Sequence, residues 1–110
     1  MKTFDLVVIG GGPSGYAAAI RALDLGKRVL LLEKNRIGGA GIWEGALSSK
    51  TLWEISRDVK RLHNQDRGYR VSEFQLDYPA VRNAMMSAVQ SRADQLTAQL
   101  EAFLSKTDLF

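Results

Sequence analysis

Three glycines, Gly10, Gly12 and Gly15, stand between an apolar run and a helix-forming segment, and Glu33 follows eighteen residues after the last of them. Gly-x-Gly-x-x-Gly between a strand and a helix is the dinucleotide fingerprint, and its chemistry is steric and electrostatic. Gly10 permits a tight turn, Gly12 lets a pyrophosphate approach the backbone, and Gly15 lets the helix pack closely on the strand. A helix opening at about Ser14 offers free N–H groups and a partial positive charge to the phosphates. Glu33, with Lys34 beside it, closes the second apolar run, where a carboxylate can accept both hydroxyls of an adenosine ribose. These residues alone leave FAD and NAD both open.

The elements that position this turn are legible. Leu6-Val7-Val8-Ile9 is a continuous apolar run ended by glycines, as a buried strand reads. Residues from about Ser14 to Leu25 read as a helix rich in small residues, with Gly26 as its stop. Val29-Leu30-Leu31-Leu32 is a second buried strand. Strand, glycine turn, helix and strand make one βαβ unit, expected to be parallel and right-handed. Residues Asn35 to Gly45, with four glycines, read as loop. A helix is expected from about Ala46 to Asn64, with Leu52, Ile55, Val59 and Leu62 on one face. Gly68 to Phe74 reads as a turn and a short extended piece. Tyr78-Pro79 opens a final helix, because proline suits a first turn. Its stripe is Met85, Val89, Ala93, Leu96, Leu100 and Phe103, with Met86 and Leu104 beside it, and packing in a helix hairpin or against a neighbouring domain accounts for it. Two strands do not complete a covered sheet. The expected class is therefore α/β: a Rossmann-like βαβ unit followed by a long helix pair, in an incomplete domain.

A second motif narrows the cofactor. Gly38-Gly39-Ala40-Gly41-Ile42-Trp43-Glu44-Gly45-Ala46-Leu47-Ser48-Ser49-Lys50 resembles the flavoprotein disulfide reductase family, which includes dihydrolipoyl dehydrogenase, glutathione reductase and mercuric reductase. There this loop reads Gly-Gly-x-Cys-x-x-x-x-Cys-x-Pro-Ser-Lys, with glycine before the second cysteine. Gly38, Gly39, Gly45, Ser49 and Lys50 match. The resemblance implies an N-terminal FAD-binding part over residues 1–110, with FAD held by Gly10, Gly12, Pro13, Ser14, Gly15, Glu33, Lys34, Gly38, Gly39 and Gly45. It implies that Lys50 lies near the flavin N5 edge, where a cation stabilises charge on reduced flavin. It also implies NAD(P)H as electron donor and a homodimer for the full-length protein.

The departures carry as much weight. Gly41 and Ala46 occupy the two cysteine positions, Ser48 replaces the proline, and the sequence has no cysteine at all. Neither glycine nor alanine accepts electrons from flavin or exchanges with a disulfide, so the family's dithiol chemistry is closed to this motif. Trp43 either covers the space beside the flavin or anchors the loop. The expected function is an FAD-dependent oxidoreductase passing electrons from NAD(P)H to a non-disulfide acceptor, either a small molecule or a protein. An FAD-binding structural or regulatory subunit without turnover is the alternative. A plain NAD-binding Rossmann domain leaves the second motif unexplained.

Composition sets outer bounds. The 110 residues carry 15 basic and 12 acidic side chains, a net charge of +3, with the basic residues interleaved among acids. No dense basic run offers a nucleic-acid footprint. With no cysteine and a single histidine, His63 in a polar helical stretch, a thiolate or histidine-cluster metal site is not expected. The first apolar run is too short to span a membrane and lacks the parts of a signal peptide, so the expected location is cytoplasmic.

Overall fold

A computed structural model describes residues 2–104. Strand β1 (Leu6–Ile9) leads into helix α1 (Pro13–Asp24), and strand β2 (Val29–Leu32) returns parallel to β1. The register pairs Leu6 with Val29 and Ile9 with Leu32. A short helix α2 (Gly39–Trp43) follows, then α3 (Ala46–Asn64), a 3₁₀ turn at Asp66–Gly68 and the long α4 (Tyr78–Leu104). The expected α/β architecture, a βαβ unit followed by a long helix pair, is the one present.

Local chemistry explains the boundaries. The α1 helix ends in a Schellman closure: Gly26 takes φ +70, its N–H donates to Leu23 O at 2.9 Å, and Lys27 N–H donates to Ala22 O at 3.0 Å. Gly26 tolerates the left-handed backbone because it has no Cβ. The α4 helix opens on Asp77, whose carboxylate accepts the Ala80 N–H at 3.1 Å, with Pro79 in the first turn.

The expected 35–45 loop is corrected by α2. Two of its five residues, Gly-Ala-Gly-Ile-Trp, are glycines that disfavour a helix, and burial of Ile42 helps to hold the turn. The expected extended piece after Gly68 forms no strand.

The core has two centres. Val8, Ala19, Ala22, Leu23 and Val29 join α1 to one face of the sheet, with Phe103 of α4 packed against them. Ile42 meets Val89, Ala93 and Leu96 of α4, with Tyr16, Ile37, Trp43 and Leu47 around them. The α4 stripe thus packs within the chain: Val89, Ala93, Leu96 and Leu100 are buried, Met85 and Phe103 half-buried, and Met86 exposed. Of the α3 face, Ile55, Val59 and Leu62 are half-buried and Leu52 is exposed. His63 is exposed. Side chains alternate along a strand, so Val7 and Ile9 point away from α1. They are 51% and 85% exposed, which leaves the second face of the sheet bare and the sheet unfinished. Among the described residues no helix is long and apolar enough to cross a membrane.

Candidate functional site

The site begins where β1 gives way to α1. Gly10 takes φ +98, and its N–H donates to Leu32 O at 2.7 Å, so the turn is pinned to the end of β2. A Cβ on Gly15 would lie 1.8 Å from Gly10 O, a distance no side chain survives. A Cβ on Gly12 would meet nothing within 4 Å. The two glycines therefore serve opposite purposes. Gly15 lacks a side chain because the protein fills that space, whereas Gly12 opens onto a hollow. The Gly12, Ser14 and Gly15 amides donate to no group among the described residues, and no side chain caps α1. Unclaimed N–H groups at a helix N-terminus favour an anion there.

Glu33 does more than wait at a strand end. Its Oε2 accepts the Gly11 N–H at 2.6 Å and its Oε1 accepts the Asn35 N–H at 2.8 Å. Those backbone bonds, Asn35 first and Gly11 second, hold its pKa below the ordinary 4.5. Each carboxylate oxygen keeps a second lone pair, so a ribose hydroxyl can still be accepted. Gly11, which the fingerprint leaves unspecified, is buried and supplies the donor; the unbroken run of three glycines was the signal for it.

Because the folded-state pKa is depressed, the Glu33 contribution is present above about pH 4.5 and is lost as pH falls through the lower folded value. The expected outcome is that ligand affinity at the glycine turn holds from neutral pH down to about 4.5 and weakens only as pH falls further, through the lowered Glu33 value. A Glu33→Gln variant should show weaker binding and no such acid limb, as read by titrations at several pH values.

The second motif docks onto the first. Gly38 N–H donates to Gly11 O at 2.8 Å, and a Cβ on Gly39 would stand 3.1 Å from Gly12 Cα. Gly38 and Gly39 take φ +104 and +53, so the paired glycines carry the loop over the fingerprint in a backbone shape that side chains disfavour. Gly45, at φ +126, turns the chain into α3, and its carbonyl accepts the Ser49 N–H at 2.9 Å and the Ser48 hydroxyl at 3.2 Å. Trp43 anchors the loop: its Nε1–H donates to Ile37 O at 2.9 Å, and the Arg36 guanidinium lies 3.8 Å from its ring centroid.

At Gly41, the place of the family's first cysteine, a Cβ would sit 2.9 Å from Pro13 Cγ. The α2 segment is therefore seated on the proline ring in the space a side chain would need. Gly41→Cys is expected to destabilise the protein by roughly 1–3 kcal/mol, the usual cost of overpacking, and a thermal melt checks it.

Two hollows flank Glu33. One, of about 540 Å³, is lined by Ile9, Gly10, Leu32, Glu33 and Lys34 at the carboxyl ends of the strands. Ligands bind open α/β sheets outside those ends. The other, of about 450 Å³, runs along residues 33–36 to Trp43 and Glu44. The structure thus brings together Gly10, Gly12, Pro13, Ser14, Gly15, Glu33, Lys34, Gly38 and Gly39. Lys50 stands apart, exposed on α3, and lines neither hollow.

The βαβ unit, the glycine turn with unclaimed amides and the strand-end carboxylate together have the geometry of the dinucleotide fingerprint. The chain belongs to the FAD dependent oxidoreductase family, matching it over residues 5–102. It is 36% identical over 102 residues to the dihydrolipoyl dehydrogenase of Chlamydia trachomatis, covering 92% of this chain and 22% of that protein. It is 36% identical over 96 residues to the Bacillus subtilis dihydrolipoyl dehydrogenase, covering 86% and 20%. Its fold matches that of an HOCl-induced flavoprotein disulfide reductase from Escherichia coli, solved as a Cu(II) complex of a mutant. There the TM-score is 0.72 at 21% identity, over 94% of this chain and 20% of that one. The chain spans about a fifth of the length of these relatives.

Proposed function

We propose that residues 1–110 are the N-terminal part of an FAD-binding domain. The full-length protein would then be an oxidoreductase that passes electrons from NADH or NADPH, by way of FAD, to a non-disulfide acceptor. The observation that carries the acceptor class is the pair Gly41 and Ala46, standing where the family's dithiol would be in a chain with no cysteine. FAD, when bound, supplies the hydride-accepting and electron-releasing chemistry. The chain's own residues hold and orient it. Gly10, Gly12 and Gly15, with the α1 start at Pro13 and Ser14, receive the diphosphate. Glu33 takes the adenosine ribose with Lys34 at its side, and Gly38 and Gly39 let the loop pass close. Gly45 sets the entry into α3, from which exposed Lys50 offers positive charge to the flavin N5 edge.

A quinone, a second nicotinamide, dioxygen or a protein carrier fits such an acceptor. A homodimer and a cytoplasmic location complete the proposal. The test offers NAD(P)H with lipoamide or glutathione disulfide on one side and a quinone or dioxygen on the other. Turnover with the latter and none with disulfides is expected. Disulfide reduction would overturn the acceptor class. Bound flavin that neither nicotinamide reduces would favour an FAD-binding subunit without turnover, for which the loss of the dithiol is the motive.

A further inference from the structure

The glycine turn itself contains no cation, yet a diphosphate brings two negative charges to it. A third hollow, of about 260 Å³, is lined by Gly12, Pro13, Gly38 and Gly41 of the two motifs. Tyr16 and Arg92 also line it. Arg92 stands three residues after buried Val89 and four before buried Leu96, at the margin of the α4 stripe that packs on α2. Arg92 is exposed to solvent, and it also lines the hollow beside the turn.

Arg92 is not committed elsewhere by charge. The ion pairs among the described residues are Asp5–Arg28, Glu54–Arg57 and Asp58–Arg61. Among the described residues, Arg92 Nη1–H donates to the neutral Gln95 Oε1, at 3.1 Å. Its charge is felt inside the hollow: burial pushes the Tyr16 hydroxyl pKa up, and Arg92 pulls it back down. The Tyr16 hydroxyl donates to Gln99 Oε1, which fixes the ring as a wall of the hollow.

We propose that Arg92 is a phosphate-positioning residue: its guanidinium reaches across this hollow and pairs with the diphosphate oxyanions of the dinucleotide seated at Gly12. The proposal rests on the FAD reading and adds a residue that lies outside both glycine motifs. A guanidinium matches phosphate geometry with two parallel donors, and exchanging a neutral amide partner for an oxyanion is favourable.

The test titrates FAD into apo full-length protein at low and high salt, for the native sequence and for Arg92→Gln, Arg92→Lys and Arg82→Gln. Arg82→Gln is the control, an exposed arginine on the same helix. Arg92→Gln is expected to bind FAD about tenfold or more weakly at low salt, consistent with loss of a charge-assisted pair. The gap should narrow as salt screens the pair, Arg92→Lys should recover part of the loss, and Arg82→Gln should match the native protein. Equal affinity of Arg92→Gln and native protein would overturn the proposal. So would a loss that salt does not change and lysine does not rescue, which would mark a packing role. Native protein that binds no FAD would remove the FAD reading itself, a failure distinct from either.

Discussion

Gly12→Val should fold and yet lose FAD. Nothing lies within 4 Å of the position its Cβ would take, so the protein has no steric objection to a side chain there. The isopropyl group would instead fill the approach to the Gly12, Ser14 and Gly15 amides, where the proposed diphosphate sits. Affinity for FAD is expected to fall by about 100-fold or more, roughly 2.7 kcal/mol, while the melting temperature of the apo-protein stays near the native value. Titration and an apo-protein melt separate the two effects. Native-like FAD affinity in this variant would remove Gly12 from the site.

Gly15→Ala should behave in the opposite way. The added methyl would stand 1.8 Å from Gly10 O and 3.0 Å from Gly10 C, and both are backbone atoms of a turn already pinned to β2. The helix would have to lift off the strand, and Val8, Ala19 and Val29 would lose their contacts. A cost of about 4 kcal/mol or more is expected, at the extreme of single substitutions, and it should show as loss of soluble protein or a large drop in Tm. A variant that melts like the native protein would mean that α1 and β1 are less closely seated than the structure has them. Between them the two substitutions divide the fingerprint into a glycine that serves the fold and one that faces the ligand.

What the sequence disclosed follows from the range of the interactions. The strands, α1 and the α4 stripe are local patterns, set by runs and spacings within one element, and each was legible. The α2 helix was not, because two glycines in five residues argue against a helix, and the packing of Ile42 on Val89, Ala93 and Leu96, some fifty residues away, helps to hold it. The segment that carries Gly38 and Gly39 was likewise legible in its glycines but not in its docking. Gly11 N–H to Glu33, Gly38 N–H to Gly11 O and the seat of Gly41 on Pro13 all join residues distant in sequence. Such contacts leave no periodic trace. Trp43 was readable as either a flavin cover or an anchor, and the bond to Ile37 O decides for the anchor. Asp77 was legible in principle, as an acid two residues before a helix-opening proline, and reads as the cap that starts α4.

The proposed function depends on FAD being held by this chain. The most direct measurement is the absorbance spectrum of the purified full-length protein, followed by anaerobic addition of NADH and then NADPH. The expected result is a yellow protein with a flavin spectrum that one nicotinamide bleaches, without the long-wavelength thiolate-to-flavin band that a redox dithiol produces. A colourless protein that cannot be reconstituted with FAD would contradict the account.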